Sequence, residues 1–195
     1  SINRNLPGFV VLGSGGSTLP HGGIPLFSNG YLPAYHQATQ VNLDAQDPIP
    51  NITPRDIARQ QQMRLAFIKR QDKRFLAATN DDDQVDSAIK NYEMAYRMQS
   101  SAPEVMDLKS ETQETLTAYG ITDPAKPSFA RNCLLARRLI ERGTRFVQLF
   151  HTDWDHHGNA GTNLGIPLEQ RCAETDQPAA ALIQDLKNRG MLEDT

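Results

Sequence analysis

The sequence is poor in cysteine, in long apolar runs and in excess charge of either sign. Two cysteines stand among 195 residues, Cys133 and Cys172. Both fall on apolar faces of expected helices, where a free cysteine packs as a small core residue. A disulfide between them stays open and would suggest an exported protein, but nothing in the pattern requires it. No apolar run approaches the ~20 residues that cross a bilayer. Residues 1–30 hold no basic start followed by an apolar stretch, so no signal peptide is read in this sequence. The chain opens on Ser1 without an initiator methionine, which raises the expectation that it is trimmed. The formal net charge is −3, which gives no global pull toward nucleic acid or an acidic membrane surface. No internal repeat is visible.

What is present is globular but polar: 38% hydrophobic and 22% charged residues. The length fits one large domain or part of a bigger one, with room for a sizeable core. Residues 1–52 read as irregular and rich in Gly and Pro. A short strand is expected at Phe9–Leu12, in "PGFVVLG". The Gly-Ser-Gly-Gly run after it lacks the Gly-Lys-Ser/Thr ending of a phosphate loop, and no helical pattern follows. Apolar residues such as Ile24, Phe27 and Tyr31 predict a long ordered loop packed on a domain, of the kind that borders sites.

Residues 53–126 read as a helical insertion. Thr53 can cap a first helix with Pro54 at its first position. Ile57, Ala58, Leu65, Ile68, Phe75 and Leu76 form its apolar stripe. Its cations are interrupted by Asp56 and Asp72, so it reads as a solvated face and not as a nucleic-acid patch. A second helix starts at Asp82 or Asp83, with Val85, Ile89, Tyr92 and Tyr96 on one stripe. "SAPEVMDL" reads as a separate short turn of helix. Ser110 with Gln113 forms a capping-box pattern for a helix ending near Gly120.

Residues 127–195 read as a piece of an α/β core. Ser128 caps a helix whose face is Phe129, Cys133, Ala136 and Ile140, and Gly143 stops it. "RFVQLF" is a strand expected to be buried on both sides. After a polar loop at 152–166, a last helix runs from about Pro167 to Lys187, kinked or split at Pro178. Leu168, Cys172, Ala179, Leu182 and Leu186 face inward. A further strand is expected beyond "GMLEDT", so the chain reads as a piece of a longer α/β protein.

The chemistry gathers in "HTDWDHHGN", His151 to Asn159. In open α/β sheets, ligands bind beyond the carboxyl ends of strands. His151 stands at such an end, as a metal ligand or proton donor. Asp155 and His157, two apart, share a face if the backbone is extended there, and His156 lies between them. Carboxylate oxygen with imidazole nitrogen suits Zn²⁺, Mn²⁺ or Fe²⁺. Gly158 permits a sharp turn, and Trp154 favours an ordered loop. A solvated polar turn with a His–Asp hydrogen bond is the competing interpretation. His21 and His36 are expected to be surface or hydrogen-bonded histidines, with His21 able to fold toward the cluster.

Several separated segments agree in order with one family. "FVQLFHTDWDHHGN", "NYEMAYRMQSSAPEVMDL", "CLLARRLIERG" and "ALIQDLKNRGMLEDT" resemble the DUF1501 family, sulfatase-like bacterial proteins related to the alkaline phosphatase superfamily. The resemblance runs from "LPGFVVL" to the end. It implies an alkaline-phosphatase-like three-layer α/β/α fold, here a helix-rich partial domain with few strands. It also implies hydrolysis of small sulfate or phosphate esters, possibly on a carbohydrate, with a divalent metal (Zn, Mn or Ca). The family's Trp-Asp-x-His pattern maps onto Trp154, Asp155 and His157, with His156 at the variable position. Its upstream acidic segment and downstream Glu-Phe-Gly-Arg segment are absent from this sequence, so the implied site is incomplete and the fragment is expected to be inactive alone. No Cys-x-Pro/Ser-x-Arg sulfatase motif is present. The resemblance further implies a periplasmic or extracellular parent. The alternative is a secreted, non-catalytic binding or assembly module that keeps the fold.

Overall fold

The computed structural model describes residues 3–15, 22–42, 49, 52–54, 57–80, 82–161 and 163–194. The fold is mixed α/β. Three strands, β1 (Phe9–Ser14), β2 (Thr39–Asn42) and β3 (Phe146–His151), form a parallel sheet in the order β2-β1-β3. Five helices accompany it: α1 (Ala58–Ala78), α2 (Asp83–Met106), α3 (Gln113–Ala118), α4 (Phe129–Glu141) and α5 (Ile166–Asn188). Short 3₁₀ turns lie at Ile24–Phe27, Ala34–His36, Leu108–Ser110 and Leu192–Asp194.

Strand alternation sorts the sheet's two faces. Val10, Leu12 and Val41 join Val147 and Leu149 in a core with Cys133, Leu134 and Leu135 of α4. Val11, Phe9 and Phe150 point the other way, onto Phe27 and Ala38 of the N-terminal loops. The same alternation carries Ser14 and His151 to the helix-covered face. These two residues are register partners at the carboxyl ends of β1 and β3.

α4 begins where its cap predicts: Ser128 Oγ accepts from the Arg131 backbone N–H at 3.1 Å. Gly143, at φ 88°, ends it as expected. The helix is buried nearly all round, well beyond its apolar stripe. Even Arg137 and Arg138 are enclosed. Arg137 reaches Glu111 at 2.7 Å and Glu141 at 2.6 Å, and stands 3.1 Å from Asp185. Arg138 pairs with Glu111 and donates to the carbonyls of Glu104 and Val105, both at 2.9 Å. This ionic knot ties the end of α2 to α4 and α5.

Several expectations are corrected. α1 starts at Ala58 with no side-chain cap, later than a Thr53 cap implies. None of its described residues is buried, because it touches the rest of the chain along little more than α2. Its stripe residues Ile57 and Phe75 are 66% and 59% exposed. α2 does start at Asp82, whose side chain accepts from the N–H groups of Gln84 and Val85. Its buried face is Ser87, Met98, Ala102 and Val105, leaving Tyr92 and Tyr96 outside. It also runs unbroken through Pro103, so "SAPEVM" is its last part. Thr112, not Ser110, caps α3. β3 lies at the sheet edge with Phe146 exposed and the rest half-buried, since among the described residues only β1 flanks it. Pro178 leaves α5 one helix. Both cysteines are free thiols, and burial pushes that of Cys133 up to about 12. No helix among the described residues is long and apolar enough to cross a membrane.

Candidate active site

Two strand ends and one helix build the site. The pairing runs one residue past the end of β3: the Thr152 N–H donates to the Ser14 carbonyl at 3.0 Å. Gly15 then turns the chain at φ 109°, and a Cβ there would stand 2.9 Å from the Thr152 nitrogen. Only glycine suits that turn and that approach. Asn132 of α4 donates to the Gly13 carbonyl at 2.9 Å and holds the strand end against the helix.

Over this rim lies a cavity of about 550 Å³. Ser14, Gly15, Lys126, His151, Arg171 and Glu174 are among its lining residues. His151 is its centre, with a side chain only 7% exposed. Its Nδ1 lies 3.1 Å from Ser14 Oγ, and its Nε2 lies 2.9 Å from Glu174 Oε2. Phe129 stands against the ring, at a centroid distance of 5.2 Å. Arg171, one turn before Glu174 on α5, pairs with the same carboxylate at 2.8 Å.

The tautomer follows from the partners. An ionised carboxylate only accepts, so Nε2 carries the proton and donates to Glu174. Nδ1 is then the acceptor, and the Ser14 hydroxyl donates to it. The Phe150 carbonyl, 3.3 Å from Oγ, is a longer competing acceptor. A hydroxyl, an imidazole base and an orienting acid therefore stand in one hydrogen-bonded chain.

The loop after β3 sits apart from this chain. Asp153 takes a left-handed φ of 69° and Gly158 one of 92°. Asp155 and His157 are 80% and 58% exposed, and His157 Nδ1 donates to Asp155 Oδ1 at 2.9 Å. His156 Nδ1 donates to the Trp154 carbonyl at 3.0 Å. That carboxylate–imidazole contact has the form in which an acid orients a histidine whose Nε2 binds metal. Four ligands, or three and a water, are the usual need of zinc. Among the described residues no group of three His, Cys, Asp or Glu side chains could hold a metal ion. These residues thus offer one oriented nitrogen and an adjacent carboxylate, which is not a complete metal shell. His36 is exposed and lies against the Tyr35 ring at 4.1 Å. His21 lies outside the described residues.

The family model for DUF1501, described as a protein of unknown function, matches residues 1–195. The chain belongs to the DUF1501 family. No curated protein and no solved structure matches it. Membership in DUF1501 places the His151 loop within a shared domain but assigns no chemistry.

Of the residues read from sequence, His151 enters the cavity, while the exposed Asp155 and His157 and the half-buried His156 are not among its lining. Ser14, Arg171 and Glu174 were missed. Ser14 had a signal: extending the β1 alternation from Val10 and Leu12 lands on it. Glu174 had little, since it flanks the inward stripe of α5 and is itself 43% exposed.

Proposed function

We propose that this DUF1501 chain carries part of the active site of a hydrolase for sulfate or phosphate esters. In this proposal the fold is an alkaline-phosphatase-like three-layer arrangement, and the parent protein works in the periplasm or outside the cell. The substrate is a small ester, possibly on a carbohydrate. The observation that carries the reading is His151, fixed between Ser14 and Glu174 in a cavity that Arg171 and Lys126 also line. The two cations suit a substrate that bears a tetrahedral anion. His151 accepts and returns the proton exchanged during ester cleavage.

A divalent metal, Zn, Mn or Ca, would polarise an ester oxygen. Asp155, His157 and His156 are the residues proposed to help hold it. They do not form a complete shell among the described residues, and no proton step is assigned to them.

The test is turnover of nitrophenyl phosphate and nitrophenyl sulfate by the full-length protein, with Zn, Mn or Ca added and after chelation. Activity that falls ~10²-fold or more in His151→Ala is the expected result. No turnover of either ester under any of these conditions overturns the proposal.

A second reading, a secreted binding or assembly module without catalysis, is favoured by the exposure of the Asp155–His157 pair. It predicts retained binding of sulfated or phosphorylated sugars with no turnover.

A further inference from the structure

We infer that Ser14 is the nucleophile of this site and takes the phosphoryl or sulfuryl group of the ester onto its Oγ. The inference rests on the hydrolase reading for its substrate class, and on geometry for its residue. A serine at a strand end can simply satisfy a neighbour's hydrogen bond. Three observations separate Ser14 from that case. Its hydroxyl faces Nδ1 of His151, the nitrogen that accepts whenever the imidazole is neutral with its Nε2 proton on Glu174. Ser14 is only 4% exposed, yet it lines the cavity beside His151, so what can reach it comes through that cavity. The turn after it, at Gly15 with φ 109°, packs against Thr152 and fixes the strand end that carries the hydroxyl.

A phosphate monoester would be cleaved in two transfers. Ser14 Oγ forms a bond to phosphorus while the bond from phosphorus to the alcohol oxygen breaks. The hydroxyl proton passes to His151 Nδ1, and the imidazolium formed is stabilised by Glu174 at Nε2. The departing alkoxide, in line on the far side of phosphorus, takes a proton from solvent water, and the hydroxide left there is neutralised in the next half. In that second half, water attacks phosphorus from the side the alcohol left, losing its proton to solvent, and Ser14 Oγ leaves and recovers its proton from the His151 imidazolium. The net reaction is ester plus water to alcohol plus phosphate. Arg171 of α5 and Lys126 of the loop before α4 line the same cavity and bring two cations to it.

The experiment uses the full-length protein and a fluorophosphonate, which reports an activated serine whatever the natural ester is. Ser14 Oγ bonds to phosphorus and fluoride leaves. The expected result is a single phosphonyl adduct, mapped to Ser14 by peptide mass spectrometry. Ser14→Ala loses the adduct. Glu174→Gln, at a partly exposed position that does not threaten folding, slows its formation by ~10-fold or more. A wild-type protein without an adduct on Ser14 overturns the inference, as does a Glu174→Gln variant that labels at the wild-type rate. Ester turnover that survives in Ser14→Ala also overturns it while leaving the hydrolase reading intact. An adduct on Ser14 with no ester turned over sinks the hydrolase reading and leaves the nucleophile standing.

Discussion

Arg171 and His151 meet on one atom. Arg171 Nη1 lies 2.8 Å, and His151 Nε2 2.9 Å, from Oε2 of Glu174. One carboxylate therefore serves a cation in the cavity wall and the base that faces Ser14. An anion entering the cavity competes with Glu174 for Arg171. Arg171→Ala should weaken inhibition by inorganic phosphate about tenfold, as loss of a charged hydrogen bond implies. The inhibition constants of the two proteins check it, and equal constants would exclude Arg171 from the anion's contacts.

Gly15 holds the rim of the site at φ 109° beside the Thr152 backbone. Gly15→Ala combines a left-handed conformation with a clash, so a loss of about 1–3 kcal/mol is expected. Urea unfolding reads this directly. A midpoint equal to wild type would mean that the Ser14–Gly15 turn has an alternative path.

Arg137 is the hub of the buried charges. Arg137→Ala leaves Glu111 with one cation fewer in an enclosed site and is expected to cost about 3–5 kcal/mol. Adding Glu111→Gln takes the carboxylate partner from the buried Arg138, so the double variant should lose further stability. A double-mutant cycle measures the coupling.

Acid should loosen the same knot. Burial pushes the Glu111 carboxyl up, but hydrogen bonds from Arg138 and Arg137 outweigh it, and the net shift is downward. A depressed carboxyl contributes stability that is full above its unfolded value, about 4.3, and is lost as pH falls through the folded one. Melting temperature against pH should therefore fall below about pH 4.3, with a shallower fall in Glu111→Gln.

The alkaline side has its own sensor. Burial, then the Asp185 carboxylate, raises the Tyr119 phenol, which donates to Asp185 at 3.0 Å. A raised phenol contributes stability that is complete below its unfolded value, about 10, and is lost as pH climbs toward the folded one. Tyr119→Phe should flatten the decline in melting temperature above pH 10.

Local chemistry was legible where it was short-range. The Ser128 cap, the Gly143 stop and the Asp82 start each depend on a few adjacent residues, and each stands where the residues imply. Pro178 misled, because a proline forbids one hydrogen bond, while neighbouring packing can keep the helix whole. The stripe on α1 misled in the opposite sense. Periodicity states which residues can share a face, and it says nothing about whether a partner covers that face.

The sequence by itself determined the α/β character, the strand that ends on His151, and the polar loop after it. Those follow from hydrophobic period and turn residues, which act within a few positions of chain. Only the tertiary structure decided which groups meet His151. Ser14 lies 137 residues away and Glu174 lies 23. A strand register and a helix packed across the sheet bring them within hydrogen-bond reach, and neither is written in local sequence. Asp155 and His157 went the other way. Two residues apart, they found each other across a short turn, and their neighbours in the fold left them in water.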